Sequence, residues 1–155
     1  MATLSQFAKL MSAHMVSLHH SVPIQANAAT VYAAVATTKG NRGWWTADSH
    51  VDEKVGGKAE FGFDKREMVF RMSVDELAPG ASVVMSCHGD HPEWNGTTLT
   101  WTIEASDDET ILRFVHSGWK SMTDFCASCN SMWGNLMFRL KRYAESGEPD
   151  PQWSE

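Results

Sequence analysis

Three groups of residues in this chain are of types that could do chemistry. Cys126 and Cys129 form a C-x-x-C spacing. In redox enzymes that spacing follows a strand and opens a helix, where the dipole lowers a thiol pKa. Here both cysteines fall on an apolar helical stripe, past its first turn. A bridge across consecutive turns would be strained there, so a buried structural role is expected. His88, Asp90 and His91 crowd one inter-strand segment. Two imidazoles and a carboxylate are sufficient in type to hold a zinc-like ion with water. Their spacing matches no metal signature, and no metal is assigned. His116 alternates in register with Leu112 and Phe114. An imidazole on that face could hydrogen-bond a ligand carbonyl, or act as acid or base near neutral pH. The competing reading is a structural histidine bonded to its neighbours. A lone histidine without a visible partner favours binding over catalysis, so no catalytic residue is assigned.

The other candidate site residues are apolar. Phe61, Phe63, Phe70, Met72, Met85, Cys87, Trp101 and Phe114 share one face of successive alternating runs. Phe125, Cys129, Trp133 and Met137 face them from a helical stripe. Trp44 and Trp45 precede the second strand, near an entrance. Seven Trp and nine Met against two Tyr suit a core that leaves or reshapes a cavity. If no cavity exists, the same side chains are ordinary core.

These positions imply particular elements. A short strand is expected at His20 to Gln25, then a helix capped by Asn27 and running through Val35. A second short helix or turn covers Lys39 to Trp44, and strand two runs from about Val51 to Val55. Gly56-Gly57 signals a turn. Strands then alternate through Phe61, Phe70, Met85, Trp101 and Phe114, with Pro79-Gly80 and Asp107-Asp108 as turns. One apolar face throughout indicates an antiparallel sheet solvated on its other side. A long helix is expected over Ser121 to Ser146, with the stripe Met122, Phe125, Cys126, Cys129, Trp133, Leu136, Met137, Leu140 and Ala144. Gly147 would end it, and Pro149 and Pro151 prevent continuation.

Composition narrows the function classes. At 155 residues the chain is the size of one domain. It carries 13 Lys and Arg against 19 Asp and Glu; an acidic chain without a basic cluster is unsuited to holding phosphate backbones, so no nucleic-acid partner is expected. No apolar run approaches the length of a membrane span, and the N-terminus lacks a secretory signal pattern. Cytoplasmic residence without membrane insertion is the expectation. No phosphate-binding loop, nucleophile elbow or dinucleotide fingerprint is present, and no cofactor is expected. Residues 1–18 read as an extension, with Leu4, Phe7, Leu10, Met11 and Met15 on much of one helical face; residues 19–155 read as a single domain.

Particular residues also carry a family resemblance. Val22-Pro23-Ile24 through Ala26, Ala28 and Val31-Tyr32 resembles the opening strand and helix of the START/Bet v 1 (SRPBCC) superfamily. Trp44-Trp45 followed by Val55-Gly56-Gly57 resembles the paired-Trp and Gly-Gly element of its heat-shock protein 90 ATPase activator-like branch. Thr110-Ile111-Leu112 leading to His116-Ser117-Gly118-Trp119 is similar to that branch's last strand. Trp133-Gly134 with Leu136 and Leu140 resembles its terminal helix, although the branch more often reads Gly-Trp there. The resemblance covers about residues 20–146. It implies an α+β helix-grip fold: a curved antiparallel β-sheet wrapped around a long C-terminal α-helix, with two short helices after strand one. It further implies a cavity taking a lipid-like or polyketide-like molecule. The alternatives it leaves open are a cyclase, dehydratase or hydrolase using that cavity, and a chaperone-regulator-like interaction module. A small apolar ligand is the expected partner; a homodimer and a chaperone contact are compatible with the sequence.

Overall fold

The structure, a computed structural model, describes residues 1–6 and 15–155. Most of the helical pattern read in the N-terminal extension falls on positions outside those described. Strand β1, Val16–Ile24, begins inside that extension and is longer than the expected His20–Gln25. Two helices follow, α1 (Ala28–Ala36) and α2 (Thr38–Trp44). Asn27 caps α1, its side chain accepting from the Thr30 N–H at 2.8 Å, and Thr37 caps α2 from the Gly40 N–H at 2.9 Å. Each cap satisfies a donor that the first helical turn leaves free. The two helices nearly touch: a Cβ on Gly40 would lie 2.1 Å from the Ala33 carbonyl oxygen, so only glycine fits.

Six further strands are β2 (Ser49–Val51), β3 (Lys58–Phe63), β4 (Met68–Ala78), β5 (Ser82–His88), β6 (Thr98–Ala105) and β7 (Thr110–Trp119). Strand β2 ends where it was expected to begin. Residues after Val51 turn instead: Lys54 and Gly57 make local backbone bonds, and Gly56 is left-handed at φ 82°. Every pairing is antiparallel, and the spatial order is β1-β7-β6-β5-β4-β3-β2. Register sets the buried face, because a slip by one residue would turn every side chain over. Thus Met85 lies opposite Leu99 and Val74, Trp101 opposite Phe114, and Phe61 opposite Phe70.

Helix α3, Asp124–Ser146, packs on that face. It starts three residues later than the stripe suggested. Thr123 is the cap, accepting from the Cys126 N–H at 3.1 Å, which leaves Met122 outside the helix and exposed. Gly147 ends α3 in the left-handed conformation at φ 76°, its N–H donated to Tyr143 O. The buried stripe is Cys126, Trp133, Leu136, Met137, Leu140 and Ala144. Burying each large apolar side chain of such a stripe contributes about 1.5–3 kcal/mol. Among the described residues no helix is long and apolar enough to cross a membrane.

Candidate functional site

Between the sheet and α3 lies a cavity of about 320 Å³ that is open to solvent on one side. Its floor is made by buried Trp45, Phe63, Trp94, Trp133 and Leu136; exposed Asp64, Met68 and Ser128 form the rim. Phe70, His91, Phe125, Cys129, Met132 and Trp153 complete the walls. The rings are mutually braced. Trp45 lies 4.2 Å from Phe61 in a stacked pair and 5.1 Å from Trp133. Trp94 stacks on Phe70 at 4.0 Å, and His91 stacks on Phe125 at 4.0 Å. Such offset and edge contacts hold flat walls apart without filling the space between them.

His116 sits behind this wall. It is fully buried, and both ring nitrogens are engaged. The Trp133 indole N–H donates to Nδ1 at 3.1 Å, and Nε2 lies 2.8 Å from Thr97 Oγ1. With Nδ1 accepting, the proton belongs on Nε2, and Thr97 passes its own hydroxyl proton to Trp94 O at 2.6 Å. Trp94 and Trp119 close over the ring at 4.7 and 4.6 Å. Burial pushes the imidazole pKa down to about 3, because the charged form would be desolvated without a counter-ion. The ring is therefore neutral at physiological pH. It fixes Trp133 in the cavity wall and offers a ligand no free nitrogen.

The thiols are equally quiet. Cys126 lies in the first turn of α3, not past it as the sequence suggested, yet burial raises its pKa and the nearby Glu93 carboxylate adds to the rise. Burial also raises Cys129, with the Trp94 indole N–H acting the other way. Cys87 is pushed up to about 11 by burial. All three thiols are free. The His88, Asp90 and His91 side chains diverge: His88 meets Ser73, Asp90 pairs with Arg71, and His91 lies on Phe125. No three His, Cys, Asp or Glu side chains gather as a metal site among the described residues.

The sequence profile of a family described as "Activator of Hsp90 ATPase homolog 1-like protein" matches residues 25–145. The chain belongs to this family. Among solved structures, this Aha1-like domain is similar to the Aha1 dimer from Colwellia psychrerythraea, with 32% identity over 85% of this chain and 98% of that one, and a TM-score of 0.77. SSP2350 from Staphylococcus saprophyticus is 13% identical over 90% of this chain and 98% of its own, with a TM-score of 0.73. EF2215 from Enterococcus faecalis is 17% identical over 92% and 78%, with a TM-score of 0.71. At those lower identities the likeness is one of fold alone. None of the curated proteins gives a match.

Of the residues singled out from the sequence, Trp45, Phe63, Phe70, Phe125, Cys129 and Trp133 meet at the cavity of this Aha1-like domain. Trp44, Phe61, Met72, Met85, Cys87, Trp101, Phe114, His116 and Met137 are buried in the core outside its lining. Trp94, His91, Met132, Leu136 and Trp153 belong to the wall as well. Trp94 lies in a turn-rich stretch with no hydrophobic period, Gly89 to Gly96, so nothing in the spacing marked it as interior. Trp153 follows two prolines beyond the helix, where periodicity has ended.

Proposed function

We propose that this Aha1-like domain binds a small, largely apolar molecule in the cavity between the sheet and α3. The observation that carries this reading is the cavity itself: a solvent-connected space walled by seven Trp and Phe side chains and three Met or Leu side chains, which close packing would otherwise have filled. Affinity would come from covering those rings. The polar rim atoms of Asp64, Ser128 and His91 would meet a ligand's polar end. Binding is favoured over catalysis because both nitrogens of His116 are already engaged and the thiols are held protonated. A panel of fatty acids and planar aromatic compounds should raise the melting temperature, by an amount that grows with concentration. Native mass spectrometry after gentle purification should show a retained small molecule. A panel that shifts nothing, with protein of apo mass only, would sink the proposal.

A second reading concerns self-association. The Colwellia relative was solved as a dimer, and Phe138 on α3 is 59% exposed. A homodimer of this chain is the corresponding proposal, tested by sedimentation velocity over a hundredfold concentration range. A single species at monomer mass throughout would exclude it.

A further inference from the structure

The segment after α3 is strapped across the molecule. Gly147 turns the chain, and Pro149 and Pro151 keep it extended. Its backbone then runs along the segment between α2 and β2. The Asp150 N–H donates to Gly43 O at 2.9 Å, Gln152 to Trp44 O and Trp153 to Trp45 O at 3.2 Å, and the Ala47 N–H returns to Trp153 O at 2.8 Å. Thr46 and Trp153 form an isolated parallel bridge. Two side chains of α3 hold the strap from the other side: Asn135 Nδ2 donates to Gln152 Oε1 at 2.9 Å, and Arg139 Nη1 to Asp150 O at 2.7 Å. The result places the Trp153 ring edge-on to Phe63 at 4.9 Å, as one wall of the cavity.

Three features mark this wall. The family match ends at residue 145, so the strap lies outside the matched residues. Trp153 is half-buried, as are the wall residues Phe70, Phe125 and Met132, whereas the floor rings Trp45, Phe63, Trp94 and Trp133 are buried. The side-chain bonds from Asn135 and Arg139 are solvent-exposed, and such bonds are individually weak. The lip beside the strap is the β3–β4 turn, where Asp64, Lys65 and Arg66 have φ of 48°, 56° and 69°. Three successive non-glycine residues in the left-handed region are strained, and such strain concentrates at clamps and switches. Lys65 reaches Glu155 at 3.8 Å across the gap. Arg66 anchors the turn through Asp48 and Glu60.

We propose that the strap is the gate of the cavity, with Trp153 as its stopper: ligand enters when residues 148–155 lift from the α2–β2 segment. This rests on the ligand-binding reading above. It follows from the contrast between a buried, braced floor and a wall carried by a terminal segment, whose ties to α3 are two exposed side-chain bonds and whose ties to residues 43–47 are four backbone bonds. The test is stopped-flow fluorescence with 1-anilinonaphthalene-8-sulfonate on three full-length proteins: the native chain, Trp153→Ala, and Asn135→Ala combined with Arg139→Ala. The double variant keeps Trp153 and the backbone bonds but cuts the strap's side-chain ties to α3 and so loosens it, which separates gating from a mere change in cavity size. It also spares the buried stripe of α3, since Asn135 is exposed and Arg139 part-buried, which keeps the test decisive if Trp153→Ala fails to fold. Both variants should take up the probe about tenfold faster than the native chain, the change expected when a weak closing contact is lost. Native association rates in the double variant would overturn the gate, whatever Trp153→Ala does, and leave the cavity reading intact. Uptake by none of the three proteins would overturn the cavity reading and the gate with it.

Discussion

His116 makes the stability of this fold depend on pH in a way that can be isolated. Its imidazole is neutral in the native state, with its pKa pushed down to about 3 by burial. In the unfolded chain it titrates near its ordinary value of about 6.5. Between those values the unfolded state binds a proton that the folded state does not. Stability must therefore fall as pH drops through this window, by about 1.4 kcal/mol per pH unit. At pH 5 the loss from this one group is about 2 kcal/mol, a large share of a typical domain's stability. The perturbation to use is His116→Gln. Its amide oxygen can accept from the Trp133 indole N–H and its amide nitrogen can donate to Thr97 Oγ1, the two partners that the imidazole uses. Urea unfolding of both proteins at pH 7.5, 6.5, 5.5 and 5.0 gives the comparison. The variant should lose about 1–3 kcal/mol at pH 7.5 through imperfect packing. It should then gain on the native chain by about 2 kcal/mol on going to pH 5. The carboxylates and other histidines are common to both proteins and cancel. Parallel pH profiles would refute the reasoning, since they would mean that His116 binds its proton equally in both states.

Other outcomes follow from single contacts. Trp133→Phe removes the donor to His116 Nδ1 and leaves a buried acceptor unpaired; urea midpoints should show a loss of about 1–3 kcal/mol, and an unchanged midpoint would show that water or another group replaces the indole. Thr123→Ala deletes the α3 cap and should cost about 1 kcal/mol by the same assay, while Thr123→Ser should retain most of it. A thiol reagent at pH 8 should label the native chain slowly, with half-exposed Cys129 ahead of buried Cys87, and should label all three cysteines at once in denaturant; the reverse order, read by peptide mass mapping, would contradict the burial. Arg66→Ala unties the β3–β4 turn from Asp48 and Glu60, a change of no more than about 1 kcal/mol because these pairs are exposed.

The periodic parts of the architecture were legible in the residues. Alternation through Leu112, Phe114 and His116, and the three-and-four spacing of Trp133, Leu136, Met137 and Leu140, each report one buried face, and the sheet and α3 use those faces. Asn27 and Gly147 marked helix ends because their side-chain chemistry and backbone freedom act locally. What was hidden depends on tertiary meeting. Helix α3 starts at Asp124 behind the Thr123 cap, not at Ser121, since the cap is fixed by which hydroxyl reaches the Cys126 N–H. His116 was placed on the correct face, but its neighbours Thr97 and Trp133 come from a distant loop and from the helix, and only together do they engage both of its nitrogens. Part of the cavity wall comes from Trp94, His91 and Trp153, which lie in turn-rich or proline-rich stretches where no hydrophobic period exists to be read.

The pairing of β1 with β7 has a consequence for how the protein is made. Val22 lies opposite Leu112, and His20 opposite Phe114, so the first strand waits for nearly the whole sheet to be synthesised before it finds its neighbour. Helix α3, which covers the aromatic face, comes later still. A nascent chain on the ribosome therefore carries Trp44, Trp45, Phe61 and Trp101 without their cover until the last quarter emerges. Such long-range closure folds slowly and leaves sticky intermediates. For this molecule the hazardous interval is translation itself, and truncated chains lacking α3 should be the species that aggregate.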